Sequence, residues 1–177
     1  MIFLFSHSQE TGGRFFDGYI VPEESGDTLF GLVANDGNKV GFCVSKFGGV
    51  ISYKPKEILA MGLEGSDFRW HCFEVVQNSF PELRCGFLEV IIGGEISLMQ
   101  FEGKGIYNTK KYTNFYLNRK GTEEIIHVHR DKFSFRREMG YYFQECPELA
   151  QQIRDKALEI GDIMEMVQRF NSFWSKK

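Results

Sequence analysis

The sequence predicts an α+β fold, in which an antiparallel β-meander sheet or partly open barrel is followed by two or three C-terminal helices packed on it. Residues 14–128 consist of short apolar runs separated by turns rich in Gly, Pro, Asn and Asp, as is typical of β-strands. Residues 131–174 instead carry apolar side chains at helical spacing. With 177 residues and 42% hydrophobic content, the chain suits one domain around one core.

The first part of the chain alternates short strands and turns. Strands are predicted over residues 15–21, 28–34, 40–44, 50–53 and 58–64. Asn35-Asp36-Gly37-Asn38 predicts a hairpin turn, because Asp-Gly adopts positive φ at little cost. Pro55 has no N–H and therefore interrupts the sheet after the fourth strand.

Longer strands and a clear hairpin are predicted next. A strand over residues 67–76 is followed by a loop over 78–84, which contains Pro81. Residues 86–92 and 95–101 form a hairpin, since Gly93-Gly94 suits a tight primed turn. A glycine-rich loop at residues 103–105 then precedes strands over 112–118 and 123–128.

The spacing of apolar residues changes near Asp131, where a first helix is predicted to begin. A second helix opens at Pro147, whose missing N–H costs nothing in the first turn, and ends at Gly161. Asp162 is expected to cap a third helix, with Glu165 as its capping-box partner. The third helix carries an apolar face that should dock on the sheet, formed by Ile163, Val167, Phe170 and Trp174.

The charge distribution argues against nucleic acid as a partner. The net charge is −3, so no strong positive field is available for phosphate or anionic lipid. Residues 1–104 carry 8 basic and 14 acidic side chains, whereas residues 105–177 carry 13 and 10, an asymmetry that could orient a partner. No stretch approaches the roughly 20 apolar residues that a membrane-spanning helix needs.

Four cysteines are present, at positions 43, 72, 85 and 146, and none belongs to a CxxC pair. A zinc ribbon or thioredoxin-type site is therefore excluded. Cys43, Cys72 and Cys85 lie in apolar strand-like runs, which favours buried free thiols over disulfides.

His127 and His129 form the candidate metal site. On a strand, residues i and i+2 point to the same side, so both imidazoles can reach one ion. A third ligand would be Asp131 or Glu124. The alternative is a pair of surface histidines at a strand end.

Other chemistries find no support in the sequence. The chain has no G-x-S-x-G motif, P-loop or G-x-G-x-x-G motif. His71 and Cys72 are neighbours on a strand, so they face opposite ways and cannot act as a catalytic pair. No catalytic residue and no cofactor is predicted.

Several stretches together resemble a family of uncharacterised exported proteins of Bacteroidota-type bacteria. The stretches are Asp17-Gly18-Tyr19-Ile20-Val21 with Gly26-Asp27-Thr28, Tyr53-Lys54-Pro55-Lys56-Glu57-Ile58, Phe87-Leu88-Glu89-Val90 with Gly94-Glu95-Ile96-Ser97-Leu98, and Cys146-Pro147-Glu148-Leu149 with Phe170-Asn171. The resemblance implies export, and no functional residue can be carried over from it. Residues 1–8 are then the remnant of an export signal, with Ser6 and Ser8 spaced as at a cleavage site, and residues 9–177 form a single α+β domain. The alternative for the N-terminus is a first strand or a frayed end.

These observations favour a non-enzymatic binding or interaction module that is periplasmic, envelope-associated or secreted rather than cytoplasmic. The expected partner is a protein or a small ligand, not nucleic acid, and the oligomeric state is left open. The alternative function is a metal-dependent enzyme that uses His127 and His129.

Overall fold

The described part of the chain, residues 14–36, 38–77, 80–105 and 108–176 of a computed structural model, forms ten strands and three helices. The strand pairs are antiparallel and the helices follow them, which confirms the α+β fold class. The chain divides into two compact units, Met1–Trp70 and His71–Lys177. A single domain over residues 9–177 stays a prediction, and the predicted export-signal remnant at residues 1–8 lies outside the described residues.

The first unit is built from the predicted short strands. They are β1 Phe16–Pro22, β2 Leu29–Asn35, β3 Val40–Cys43, β4 Ile51–Tyr53, β5 Ile58–Leu63 and the beginning of β6, Ser66–Gln77. Their order is β6-β5-β1-β2-β3-β4, so β5 pairs with β1 and the simple meander holds for β1 to β4 only. A 3₁₀ turn, Pro55–Glu57, follows β4, and the Glu57 carbonyl accepts a hydrogen bond from the Glu23 N–H at 2.8 Å. This bond fixes the start of β5 beside the end of β1.

Close contact between β1 and β5 depends on a glycine. The Tyr19 ring lies across Gly62, where an added Cβ would come within 2.3 Å of the ring. The Tyr19 hydroxyl then donates to the Asp67 carboxylate at 2.7 Å. The apolar side chains of this unit that are at most 2% exposed are Ile20, Val33, Val40, Phe42, Ile58 and Met61.

The predicted hairpin turn between β2 and β3 is present. The Asp36 carboxylate accepts hydrogen bonds from the N–H groups of Asn38 and Lys39, both at 2.8 Å. The neighbouring Gly37, to which the positive φ was assigned, lies outside the described residues.

The second unit is a meander of longer strands. It contains the end of β6, then β7 Phe80–Ile92, β8 Ile96–Gly105, β9 Asn108–Arg119 and β10 Ile125–His127, in the order β10-β9-β8-β7-β6. Two predicted loops are wrong, since β7 already begins within residues 78–84 and β8 runs through residues 103–105. The β8–β9 ladder continues to the pair Gly105–Asn108 with one register shift, so cross-strand pairing overrides the local Pro and Gly signals.

The cysteines of β6 and β7 also differ from the prediction. Cys72 and Cys85 form a disulfide across the two strands, with Cα atoms 3.9 Å apart, and both residues are exposed rather than buried thiols. Cys43 is free and buried as expected, and Cys146 is free and partly buried. The sequence could not reveal the pairing, because it depends on the register of two strands.

Three helices complete the second unit: α1 Lys132–Tyr142, α2 Pro147–Arg154 and α3 Ile163–Trp174. The predicted start of α1 is confirmed, since Asp131 caps it by accepting the Ser134 N–H at 2.8 Å. Within the described ranges, no helix is both long and apolar enough to cross a bilayer.

The end of α2 and the capping of α3 differ from the prediction, whereas α3 does begin after Asp162. Helix α2 ends at Arg154 rather than Gly161, because Lys156 adopts a left-handed φ of 68° and the Ala157 N–H donates to the Gln152 carbonyl. This is a Schellman-type stop without glycine. The capping box at Asp162 is also wrong, since its carboxylate accepts from the Glu159 N–H at 2.8 Å and so caps the preceding 3₁₀ turn, Ile160–Asp162.

The predicted apolar face of α3 packs as expected. Ile163, Val167 and Phe170 are at most 1% exposed and Trp174 packs against the same core. Asn171 adds a polar clamp, which we call the Asn171 clamp: its side chain accepts from the Ile96 N–H at 2.8 Å and donates to the Ile96 carbonyl at 2.9 Å. Helix α3 is therefore tied to the β7–β8 hairpin by packing and by direct hydrogen bonds.

Candidate functional site

The predicted histidine pair lies at the end of the second unit's sheet. His127 is the last residue of β10, and its ring lies 5.0 Å from that of His129, centroid to centroid. The Tyr116 ring also packs against His127, with the ring centroids 5.3 Å apart. The i, i+2 spacing therefore does bring the two imidazoles into contact.

Possible further ligands are only partly in place. The His129 Nε2 atom lies 3.4 Å from the Glu138 carboxylate of α1, a neighbour that the sequence did not suggest. Asp131 is engaged as the cap of α1. Within the described residues, no group of three His, Cys, Asp or Glu side chains is placed to hold a metal ion. The metal site at His127 and His129 stays a prediction.

The His127 ring is held in its neutral form. Both ring nitrogens are buried and make no hydrogen bond within the described part of the protein. The pKa of His127 is lowered from 6.5 to about 4, mainly by burial and also by His129 and Arg130, against the opposing effect of Glu138. An uncharged imidazole is the form that binds metal ions, but it is also the ordinary state of a buried histidine.

A cleft lies between β10 and α1, and its lining includes Glu138, the neighbour of His129. Its volume is about 740 Å³, within the usual range for small-ligand sites. The strand side of the cleft, with the β9–β10 turn, contributes Arg119, Thr122, Glu124 and Ile126. Helix α1 and the loop after it contribute Arg137, Glu138, Tyr141, Tyr142, Gln144 and Glu145.

Arg119 contributes a charged side chain to the lining of this cleft. Its guanidinium pairs with Glu95 at 3.3 Å and with Glu145, and it lies over the Trp174 ring at 5.1 Å. Hydrogen bonding to Glu145 is the main cause that raises the pKa of Arg119. Arg119 is therefore fixed in position by two carboxylates and an aromatic face.

Tyr142 supplies an uncharged hydroxyl to the wall of the cleft. Its oxygen is buried and has no hydrogen-bond partner among the described residues. Burial raises the pKa of Tyr142 to about 12, so the phenol keeps its proton at neutral pH. No sequence pattern predicts this cleft, since its two sides are brought together only by packing of α1 on the sheet.

In the first unit, large apolar side chains remain in water at one end of the strands. Phe47 is 100% exposed, Val44 75%, Phe30 73% and Val50 49%. The register that pairs Leu32 with Cys43 places the beginning of β2, with Phe30, beside the β3–β4 turn. We call these four residues, Phe30, Val44, Phe47 and Val50, the Phe47 surface.

The turn that carries Phe47 is held in shape by its own hydrogen bonds. The Cys43 thiol donates to the carbonyl groups of Ser45 and Gly48, and the Gly48 N–H donates to the Ser45 carbonyl at 2.9 Å. The free thiol predicted from the sequence therefore organises a turn from inside, while Phe47 is directed into solvent.

The neighbouring β1–β2 turn is acidic. Glu23, Glu24 and Asp27 are exposed on it, immediately before the strand that carries Phe30, whereas the β3–β4 turn contributes one cation, Lys46. The Phe47 surface is therefore apolar at its centre and bordered by carboxylates on one side.

Comparison of the chain with protein-family models, with curated proteins and with solved structures finds no match. The resemblance to exported Bacteroidota-type proteins accordingly stays a prediction.

Proposed function

We propose that this protein is an exported, non-enzymatic interaction module that binds a protein partner through the Phe47 surface. The observation that carries the proposal is the complete exposure of Phe47 on a turn organised by the Cys43 thiol. An aromatic ring left in water contributes no burial energy to the fold, and neighbouring exposed apolar side chains mark interaction sites. Because the turn is already shaped, little conformational entropy is lost when it docks.

The surroundings of Phe47 favour a protein over a lipid surface. Glu23, Glu24 and Asp27 would be repelled by anionic headgroups, so the partner is expected to offer an apolar pocket with a basic rim. Burying a phenylalanine ring contributes about 2 kcal/mol, or roughly thirty-fold in affinity. Phe47 would then be the main anchor of the interface.

The disulfide bond of the second unit supports an exported location. Disulfides persist in oxidising compartments and are rare in the cytosol. The Cys72–Cys85 bond lies on exposed strand positions, where cytosolic reductants would reach it. Export is also what the family resemblance implies.

The proposal is tested by affinity purification of the tagged protein from its own host. Wild-type protein and a Lys39→Asp variant, changed on the exposed β2–β3 turn, should retain the same partner. A Phe47→Asp variant should lose that partner while keeping its folded circular-dichroism spectrum. Equal retention by all three proteins, or retention by none, would contradict the proposal.

A metal-dependent enzyme is the second candidate function, and the contact between the His127 and His129 rings favours it. Metal analysis of the purified protein, before and after incubation with zinc, tests this candidate. One equivalent of zinc bound to wild-type protein and lost in a His127→Ala, His129→Ala double variant would support it. An equal zinc content in both proteins would rule out this candidate function.

A further inference from the structure

The two arginines on the wall of the 740 Å³ cleft already hold carboxylates. Arg119 is paired with Glu95 and Glu145. Arg137 lies 3.1 Å from the Glu138 carboxylate and also faces the Phe133 ring. An anionic ligand would have to displace one of these acids before it gained a cation. The cleft is therefore poorly suited to binding a phosphate or carboxylate group.

One carboxylate in the lining of the cleft is available. Glu124 is exposed on the β9–β10 turn, and within the described ranges its carboxylate makes no ion pair or hydrogen bond. The lining as a whole carries three glutamates against two arginines. The unbalanced charge in the cleft is therefore negative.

Aromatic and apolar side chains line the same cleft as Glu124. Tyr141 is 71% exposed, and Tyr142 and Ile126 line the same cleft. The face of a tyrosine ring attracts an organic cation, and apolar side chains accept the hydrocarbon part of a ligand. A carboxylate that shares a cleft with aromatic rings suits an ammonium group attached to an apolar body.

We propose that the cleft between β9, β10 and α1 binds a small organic ammonium ion, with Glu124 as counter-ion and Tyr141 and Tyr142 as the apolar wall. The cation enters beside Glu124, and its hydrocarbon part lies against the tyrosines and Ile126. This site belongs to the second unit and is independent of the partner proposed for the Phe47 surface.

The test uses three probes of similar size: 2-phenylethylammonium, 2-phenylethanol and phenylacetate. Binding to the full chain is followed by two-dimensional amide NMR, and the dissociation constant is taken from the shifts of cleft residues. The ammonium ion should bind at least about three-fold more tightly than the alcohol, the effect expected of one partly exposed ion pair. Phenylacetate should bind no better than the alcohol.

Matched variants assign the effect to Glu124. Glu124→Gln should weaken ammonium binding about three- to five-fold and leave binding of the alcohol unchanged. Glu123→Gln, the exposed neighbour outside the cleft, is the control and should behave as wild type. Phenylacetate binding as tightly as the ammonium ion, equal effects of the two variants, or no saturable shift up to the solubility limit would each overturn the proposal.

Discussion

Replacement of Asn171 by alanine tests how α3 is fixed to the sheet. The Asn171 clamp holds both polar groups of the Ile96 backbone, at 2.8 and 2.9 Å, where the Ile96 side chain is 1% exposed. Removing the amide leaves two backbone groups without these partners, at about 1–3 kcal/mol for each fully buried group. Since the site is only partly buried and water can replace part of the loss, we expect the free energy of unfolding to fall by about 2–3 kcal/mol.

The assay is urea unfolding at neutral pH, followed by tryptophan fluorescence, to which Trp174 of α3 contributes from the edge of the core. Asn171→Ala should lower the midpoint without changing the slope. Ser172→Ala changes an exposed neighbour on the same helix and should stay within about 0.5 kcal/mol of wild type. An Asn171→Ala protein as stable as Ser172→Ala would refute the claim that the clamp holds the helix.

Three further changes follow from the same structure. The folded-state pKa of His127, about 4, lies below its ordinary value of 6.5, so the unfolded chain binds the extra proton and stability should fall as pH drops from about 6.5 to about 4. After allowance for the partly exposed ring, the free energy of unfolding measured in urea should fall by about 1–2 kcal/mol over this pH range. This pH dependence should disappear in His127→Phe. Replacing Cys72 and Cys85 together by serine should lower the free energy of unfolding by about 3 kcal/mol, because the bond closes a loop of 13 residues. Calorimetry should show a lower Tm, and an unchanged Tm would mean that the bond does not form. Gly94→Ala should lower the Tm, since its Cβ would lie 2.4 Å from a side-chain nitrogen of α3, whereas Gly93→Ala meets nothing within 4 Å and should have little effect.

Patterns confined to one element were readable from the sequence. The start of α1 at Asp131 and the buried face of α3 depend on capping chemistry and helical spacing, and both are confirmed. The end of α2 was not readable, because it rests on a lysine in a left-handed conformation. The early start of β7 was missed for a different reason, since antiparallel pairing outweighs a local Pro signal.

In the candidate sites too, contacts within one element were predictable from the sequence, whereas contacts between elements were not. Spacing alone predicted that His127 and His129 lie side by side, and their rings are in contact. Glu138 joins them only because α1 packs beside the end of β10, a tertiary contact without a sequence signal. The exposure of Phe47 was equally hidden, because a Phe-Gly-Gly turn does not reveal whether its aromatic ring points inward or outward.

The most direct test of the interaction module places a photoreactive benzoylphenylalanine at position 47 in the host cell. Irradiation should produce one discrete cross-linked protein adduct, because a ring at this position would be buried in the partner's pocket. The same amino acid at position 39, on the opposite turn, should give no such adduct. A cross-link at position 39 as strong as that at position 47, or none at either position, would contradict the claim that this protein binds a partner through Phe47.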